Sequence, residues 1–177
     1  ATNFQTHGDI MGINNYCFLD FETGSKNKYK TQPTQLAAVI LDGRTGKIVQ
    51  GSEFCSFIKP IFDAAECKKF GLDEIQQEAL DITHITLEEL ESAPDIKTVW
   101  KSFCEYVERY NVGKGGWDAP IMCGYNSDNF DAEIIRRIAG VKPYNLGPFD
   151  KEYGQCSLFH PIHTIDIMKH IRAWTMF

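Results

Sequence analysis

Two acids, Asp20 and Glu22, flank Phe21 at the end of a short apolar run that begins at Tyr16. Residues two apart on an extended strand project to the same face, so both carboxylates emerge together where the strand gives way to loop. Like charges that close repel unless they are protonated or share a cation, and paired oxygen ligands at a strand end suit Mg²⁺ or Mn²⁺. A third acid has an unusual setting. Asp131 is followed by Ile134, Ile135 and Ile138 at helical spacing, which puts it on the apolar stripe of a helix. A carboxylate there is costly unless something cationic answers it, either a metal ion or an arginine such as Arg136. Asp128 and Glu133 read instead as ordinary acids on a solvated face.

The segment Phe18-Leu19-Asp20-Phe21-Glu22-Thr23-Gly24 resembles the first motif of the DEDD, or proofreading-type, 3′–5′ exonucleases. Gly124-Tyr125-Asn126-Ser127-Asp128-Asn129-Phe130-Asp131 resembles their second motif, an asparagine followed after three residues by Phe-Asp, and its Gly-Tyr-Asn start is similar to the bacterial exonuclease I branch. Gln35 to Val39 and Ile82 to Thr86 also resemble family segments. The resemblance implies a ribonuclease H-like α/β fold. It also implies a two-metal hydrolysis, with Mg²⁺ or Mn²⁺, that releases nucleoside monophosphates from a single-stranded DNA or RNA 3′ end, DNA being favoured. Carried over by position, it implies Asp20, Glu22 and Asp131 as the catalytic, metal-holding acids. Phe21 and Thr23 would face the terminal nucleotide, with Asn126 and Phe130 supporting the second motif, the four together forming the substrate-binding set.

The fourth acid of the family follows a histidine by five positions in one subgroup and a tyrosine by four in the other. Asp166 follows His163 by three and His160 by six, which fits neither pattern. Ile165 to Lys169 resembles instead the family segment between the second and third motifs. The expectation is therefore a single exonuclease-like domain over residues 1–177 that stops before the third motif, with an apolar tail from Ala173 to Phe177 seeking a partner surface. Asp166 and His163 remain as candidates for the missing acid and general base. A domain without its third motif also admits an alternative, a catalytically inactive nucleic-acid-binding or scaffold domain of the same fold.

The elements that must position these groups follow from the pattern. Tyr16 to Phe21, Gln35 to Leu41 and Lys47 to Ile58 are predicted strands, the last two joined by the turn Asp42 to Gly46, and together they form an antiparallel meander. Asp63 to Leu90 is helical and acidic, broken at Gly71 and at Asp81 to His84. Pro94 opens a helix whose apolar residues run Ile96, Val99, Trp100, Phe103, Val107 and Tyr110. Pro120 to Tyr125 is a further strand, and Asn126 or Ser127 caps a helix running to about Ala139. A loop from Val141 to Phe159 leads to Ile162 to Trp174, helical in its second half. The fold class is α/β, a mixed sheet with a three-strand antiparallel meander plus parallel strands, flanked by helices.

Composition bounds the rest. A chain of 177 residues, 43% hydrophobic and 24% charged, suits one globular domain whose core needs no disulfide or structural metal. A net charge of −6 excludes a broad basic face that grips duplex DNA. The six cysteines lie far apart, with no Cys-x-x-Cys pair, and read as packed thiols in an intracellular, cytoplasmic protein. No apolar run approaches the length of a membrane span, and no secretion signal is visible at the N-terminus. Lys26, Lys28, Tyr29 and Lys30 form a polar loop after the first motif, a mixture that suits single strands. Lys68-Lys69 and Arg136-Arg137 read as surface charges, and His7, His84 and His170 as surface polar groups.

Overall fold

The structure, a computed structural model, describes residues 13–175. In chain order its elements are β1 (Tyr16–Thr23), β2 (Pro33–Leu41), β3 (Phe54–Phe57), α1 (Ala64–Phe70), α2 (Gln77–Thr83), α3 (Leu87–Ser92) and α4 (Ile96–Glu108). Then follow β4 (Ile121–Gly124), α5 (Asp131–Gly140), β5 (Phe149–Asp150), β6 (Gln155–Cys156), β7 (Thr164–Asp166) and α6 (Ile167–Thr175). His7 and the side chains of His170 and of the tail Ala173 to Phe177 fall outside the described residues.

The antiparallel meander is present: β1 pairs with β2 and β2 with β3, both antiparallel. On the other side of β1 the sheet turns parallel, through β4 and then β7, giving the order β3-β2-β1-β4-β7. β1 is the central strand, fully buried on one face and partly covered on the other at Tyr16 and Phe18, which accounts for the apolar run from Tyr16 to Phe21. Cys17, Leu19 and Phe21 alternate into the core, and Asp20 and Glu22 fall on the opposite side.

The third strand is shorter than expected. Only Phe54–Phe57 pairs along β2, because Gly51 takes a left-handed conformation (φ 74°) that turns the chain. Ile48 makes an isolated bridge to Leu41 instead. The acidic helical region divides into α1, α2 and α3, with Gly71 as the left-handed cap of the first. The second break falls on His84 alone, also left-handed, and Asp81 to Thr83 stay helical. The loop beyond α5 contains one two-residue hairpin, β5 with β6.

Helix α4 starts one residue past Asp95, whose carboxylate accepts the Thr98 N–H at 2.7 Å; Pro94 lies outside the helix. It buries Val99, Trp100, Phe103, Tyr106 and Val107. Phe54 of β3 packs against the Phe103 and Tyr106 rings at 5.3 and 5.2 Å. The Tyr106 hydroxyl donates to the Ser52 carbonyl at 2.7 Å in the interior. Tyr106→Phe removes that donor and leaves the carbonyl unpaired, so urea denaturation is expected to show a loss of about 1–2 kcal/mol. Among the described residues, no helix is long and apolar enough to cross a membrane.

Candidate active site

Because β1, β4 and β7 run parallel, their C-terminal ends lie on one side of the sheet. In open α/β sheets that edge is where functional groups collect. Here it carries Asp20 to Glu22 from β1, the turn after Gly124 from β4, and Asp166 as the last residue of β7.

Asp131 opens α5 and is 2% exposed. Its Oδ1 accepts the backbone N–H of Phe21 at 3.1 Å, the amide that lies between Asp20 and Glu22. One hydrogen bond thus ties the second acidic site to the first across 110 residues of sequence. Burial pushes the Asp131 carboxyl up to about 7, with the charges of Asp20 and Asp166 adding to the rise and the Phe21 N–H opposing it. Partial desolvation raises Asp20, and burial together with the Asp20 charge raises Glu22. The arginine alternative is not realised. Arg136 instead forms a bidentate pair with Glu133, at 2.9 and 2.8 Å, on the same helix.

No side-chain cation pairs with Asp20, Glu22 or Asp131 among the described residues. Three carboxyls whose charged forms are all disfavoured, one of them buried, at the C-terminal end of the central strand fit a divalent cation. Among the described residues no three His, Cys, Asp or Glu side chains are already gathered into a ligand cluster. The fit therefore rests on the charge of the acids and on the bond through Phe21.

The second-motif turn is built differently from a capped helix start. Asn126 is left-handed (φ 56°), a conformation asparagine tolerates, and its carbonyl accepts the N–H groups of Asn129 and Phe130. Helix α5 then begins at Asp131 rather than at Asn126 or Ser127. Asp166, 3% exposed, closes the turn by accepting the N–H groups of Asn126 (2.9 Å), Asp128 (3.3 Å) and Met168 (3.1 Å). Asp128, meanwhile, pairs with Lys169 and accepts the Thr164 hydroxyl. Gly124 is required because a methyl group there would lie 2.7 Å from Ser127 Cβ and 3.1 Å from the Leu19 carbonyl oxygen.

Beside the acids runs a groove of about 310 Å³, lined by Glu22, Thr23, Lys26 and Phe130 on one wall and by Ala79, Ile82 and Thr83 of α2 on the other. Thr23 and Phe130, both expected at the substrate, are on this wall. Phe21 is not: its side chain is 5% exposed and belongs to the core, and only its backbone N–H serves the site. His163 is not brought to the acids either. It precedes β7, level with Ile121 in the register, and its ring stacks on His160 at 4.7 Å. That is about four strand residues, roughly 13 Å, back from Asp20 along the sheet.

Arg137 was missed. It is 5% exposed, not on the surface, and its Nη1 donates to the carbonyls of Lys28 (3.0 Å) and Thr31 (2.8 Å). Its position three residues after Ile134, at the margin of the apolar stripe, is the signal that could have revealed it.

An exonuclease family model, RNase_T, matches residues 17–138, the span from β1 to α5. A search of the curated proteins finds no match. Among solved structures, the chain is similar to exonuclease I in complex with an inhibitor, at 21% identity and a TM-score of 0.63 over 92% of this chain. It is likewise similar to E. coli exonuclease I in complex with a 5cy-dT13 oligonucleotide, at 21% identity and a TM-score of 0.62 over 92% of the chain. A third structure, E. coli exonuclease I with a dT13 oligonucleotide, gives 19% identity and a TM-score of 0.59, again over 92%. The likeness covers 30% of each of those chains, so this chain spans under a third of their length. At such identity the likeness carries the fold, which is the ribonuclease H-like mixed sheet.

Proposed function

The chain belongs to the RNase_T exonuclease family, and from that membership we propose that it is a metal-dependent 3′–5′ exonuclease acting on single-stranded ends, DNA in preference to RNA. The observation that carries the reading is the bond from the Phe21 N–H to Asp131, which holds the buried acid against the Asp20 and Glu22 pair. The oligonucleotides held by the exonuclease I structures support a single strand as the substrate. The whole chain is read as one exonuclease domain.

On this reading Asp20, Glu22 and Asp131 would hold two Mg²⁺ or Mn²⁺ ions. Such ions, when bound, supply Lewis-acid stabilisation of the charge that builds on the phosphate and on the leaving 3′ oxygen. The chain's own groups do the positioning. Thr23 and Phe130 form the wall against which the last nucleotide lies, while Asn126 and Asp166 fix the turn that sets Asp131 in place.

The end requirement gives a direct test. The protein with Mn²⁺ is expected to shorten a linear single strand to mononucleotides and to leave a closed single-stranded circle intact. Cutting of the circle would point to an endonuclease of the same fold. Binding of both strands without cleavage would favour the scaffold alternative.

A further inference from the structure

The loop after β1 is polar in sequence, yet much of its backbone is hydrogen-bonded. Residues 27–31 make one tight turn in which the N–H groups of Lys30 and Thr31 both reach the Asn27 carbonyl. The turn leaves the Lys28 and Thr31 carbonyls facing inward, and the buried Arg137 guanidinium answers both from a single nitrogen. Asp73 N–H takes the Lys30 carbonyl, the Thr31 hydroxyl takes Ser25 N–H, and Gln32 is 2% exposed. Outside this frame Lys26, Tyr29 and Lys30 are exposed, Tyr29 by 64%, and Lys28 is half-buried. The Lys28 ammonium lies over the Tyr29 ring at 5.1 Å.

Arg137 forms no salt bridge among the described residues, so its charge is held inside the protein by the two backbone carbonyls and by the Tyr144 ring, whose centroid lies 5.9 Å from the guanidinium. That is an expensive arrangement for stability by itself, since an apolar side chain would fill the space at lower desolvation cost. What it accomplishes is a mechanical link. Arg137 lies six residues after Asp131 on α5, so the helix that carries the buried acid also holds the loop that presents the lysines and the tyrosine. Lys26 lies on the groove beside Glu22, which places the loop at the mouth of the site.

We propose that Arg137 is a positioning residue that fixes the Lys26 to Lys30 loop, relative to Asp131, as a preformed cationic and aromatic clamp for the single strand upstream of the scissile nucleotide. The inference rests on the exonuclease reading. Lys28 and Lys30 meet backbone phosphates and Tyr29 offers a face for a base, the combination by which single strands are held without sequence preference. Lys26 is engaged by Glu78 at 2.6 Å and anchors the loop to α2 instead.

The test uses the full chain and a 20-nucleotide 5′-labelled single strand beside a dinucleotide, both with Mn²⁺. Arg137→Met is expected to raise KM for the long strand about tenfold with kcat changed less than about twofold, and the penalty should shrink on the dinucleotide. Arg137→Lys should restore most of the affinity, because both bonds leave one nitrogen that an ammonium can replace. Lys28→Ala with Lys30→Ala changes only the surface and decides the matter if Arg137→Met does not fold. That pair should raise KM similarly and flatten its salt dependence by a slope of about 0.7 per lysine. A folded Arg137→Met protein with unchanged KM, or a lysine pair with unchanged KM and salt slope, overturns the proposal. If the parent chain cleaves nothing, the exonuclease reading falls. Fluorescence anisotropy of the same long strand then still decides the loop: an Arg137→Met Kd weakened about tenfold supports it, and an equal Kd overturns it.

Discussion

Replacing Asp131 by asparagine is expected to make the metal-free protein more stable above pH 7 while abolishing its nuclease activity. The folded state holds this carboxyl's proton up to about 7, whereas the unfolded chain releases it near 3.8. Between those values the unfolded state binds fewer protons, so stability falls as pH rises through the window and then levels off. Fully expressed, the shift corresponds to about 4 kcal/mol, and water reaching the rim of the site reduces it to about 2–3 kcal/mol. Asparagine removes the charge and keeps an oxygen for the Phe21 N–H. In metal-free buffer, the variant should match the parent near pH 4 and exceed it at pH 8 in urea denaturation. Saturating Mn²⁺ should raise the Tm of the parent at pH 8 and leave that of Asp131→Asn nearly unmoved. A variant equally destabilised at both pH values would show that the carboxylate is paired in a way this account omits.

Asp166→Ala is the second large effect. The carboxylate accepts three backbone N–H groups while 3% exposed. Their loss is expected to cost about 3–5 kcal/mol. Asp166→Asn keeps an oxygen and should recover part of that stability. The turn it closes precedes Asp131, so activity should fall in both variants in proportion to how far the turn is released. A stable, inactive Asp166→Ala protein would instead make Asp166 a direct metal ligand.

Much of the fold was legible because its signals are local. The apolar run from Tyr16 to Phe21 and the apolar spacing of α4 each follow from a few neighbouring residues, and so does the placement of Asp131 on a buried stripe. What escaped depends on distant partners. The late start of α5 is set by Asp166, 40 residues beyond Asn126. The burial of Arg137 is set by carbonyls more than 100 residues before it. Phe21 was expected at the substrate, but as an inward residue of the central strand its side chain fills the core, and its amide is what bonds Asp131. His163 looked useful by type and proximity in sequence to Asp166. The extended run of β7, with Thr164 and Ile165 between them, carries it back along the sheet.

The most direct measurement follows a 5′-labelled single strand through time with Mn²⁺, comparing the parent chain with Asp20→Ala. The account predicts a ladder shortening one nucleotide at a time from the 3′ end, slowed at least about 10³-fold in the variant, since losing a metal-holding acid removes several kcal/mol of transition-state stabilisation. Equal ladders from the two proteins, or an intact strand with folded parent protein and saturating Mn²⁺, would contradict it.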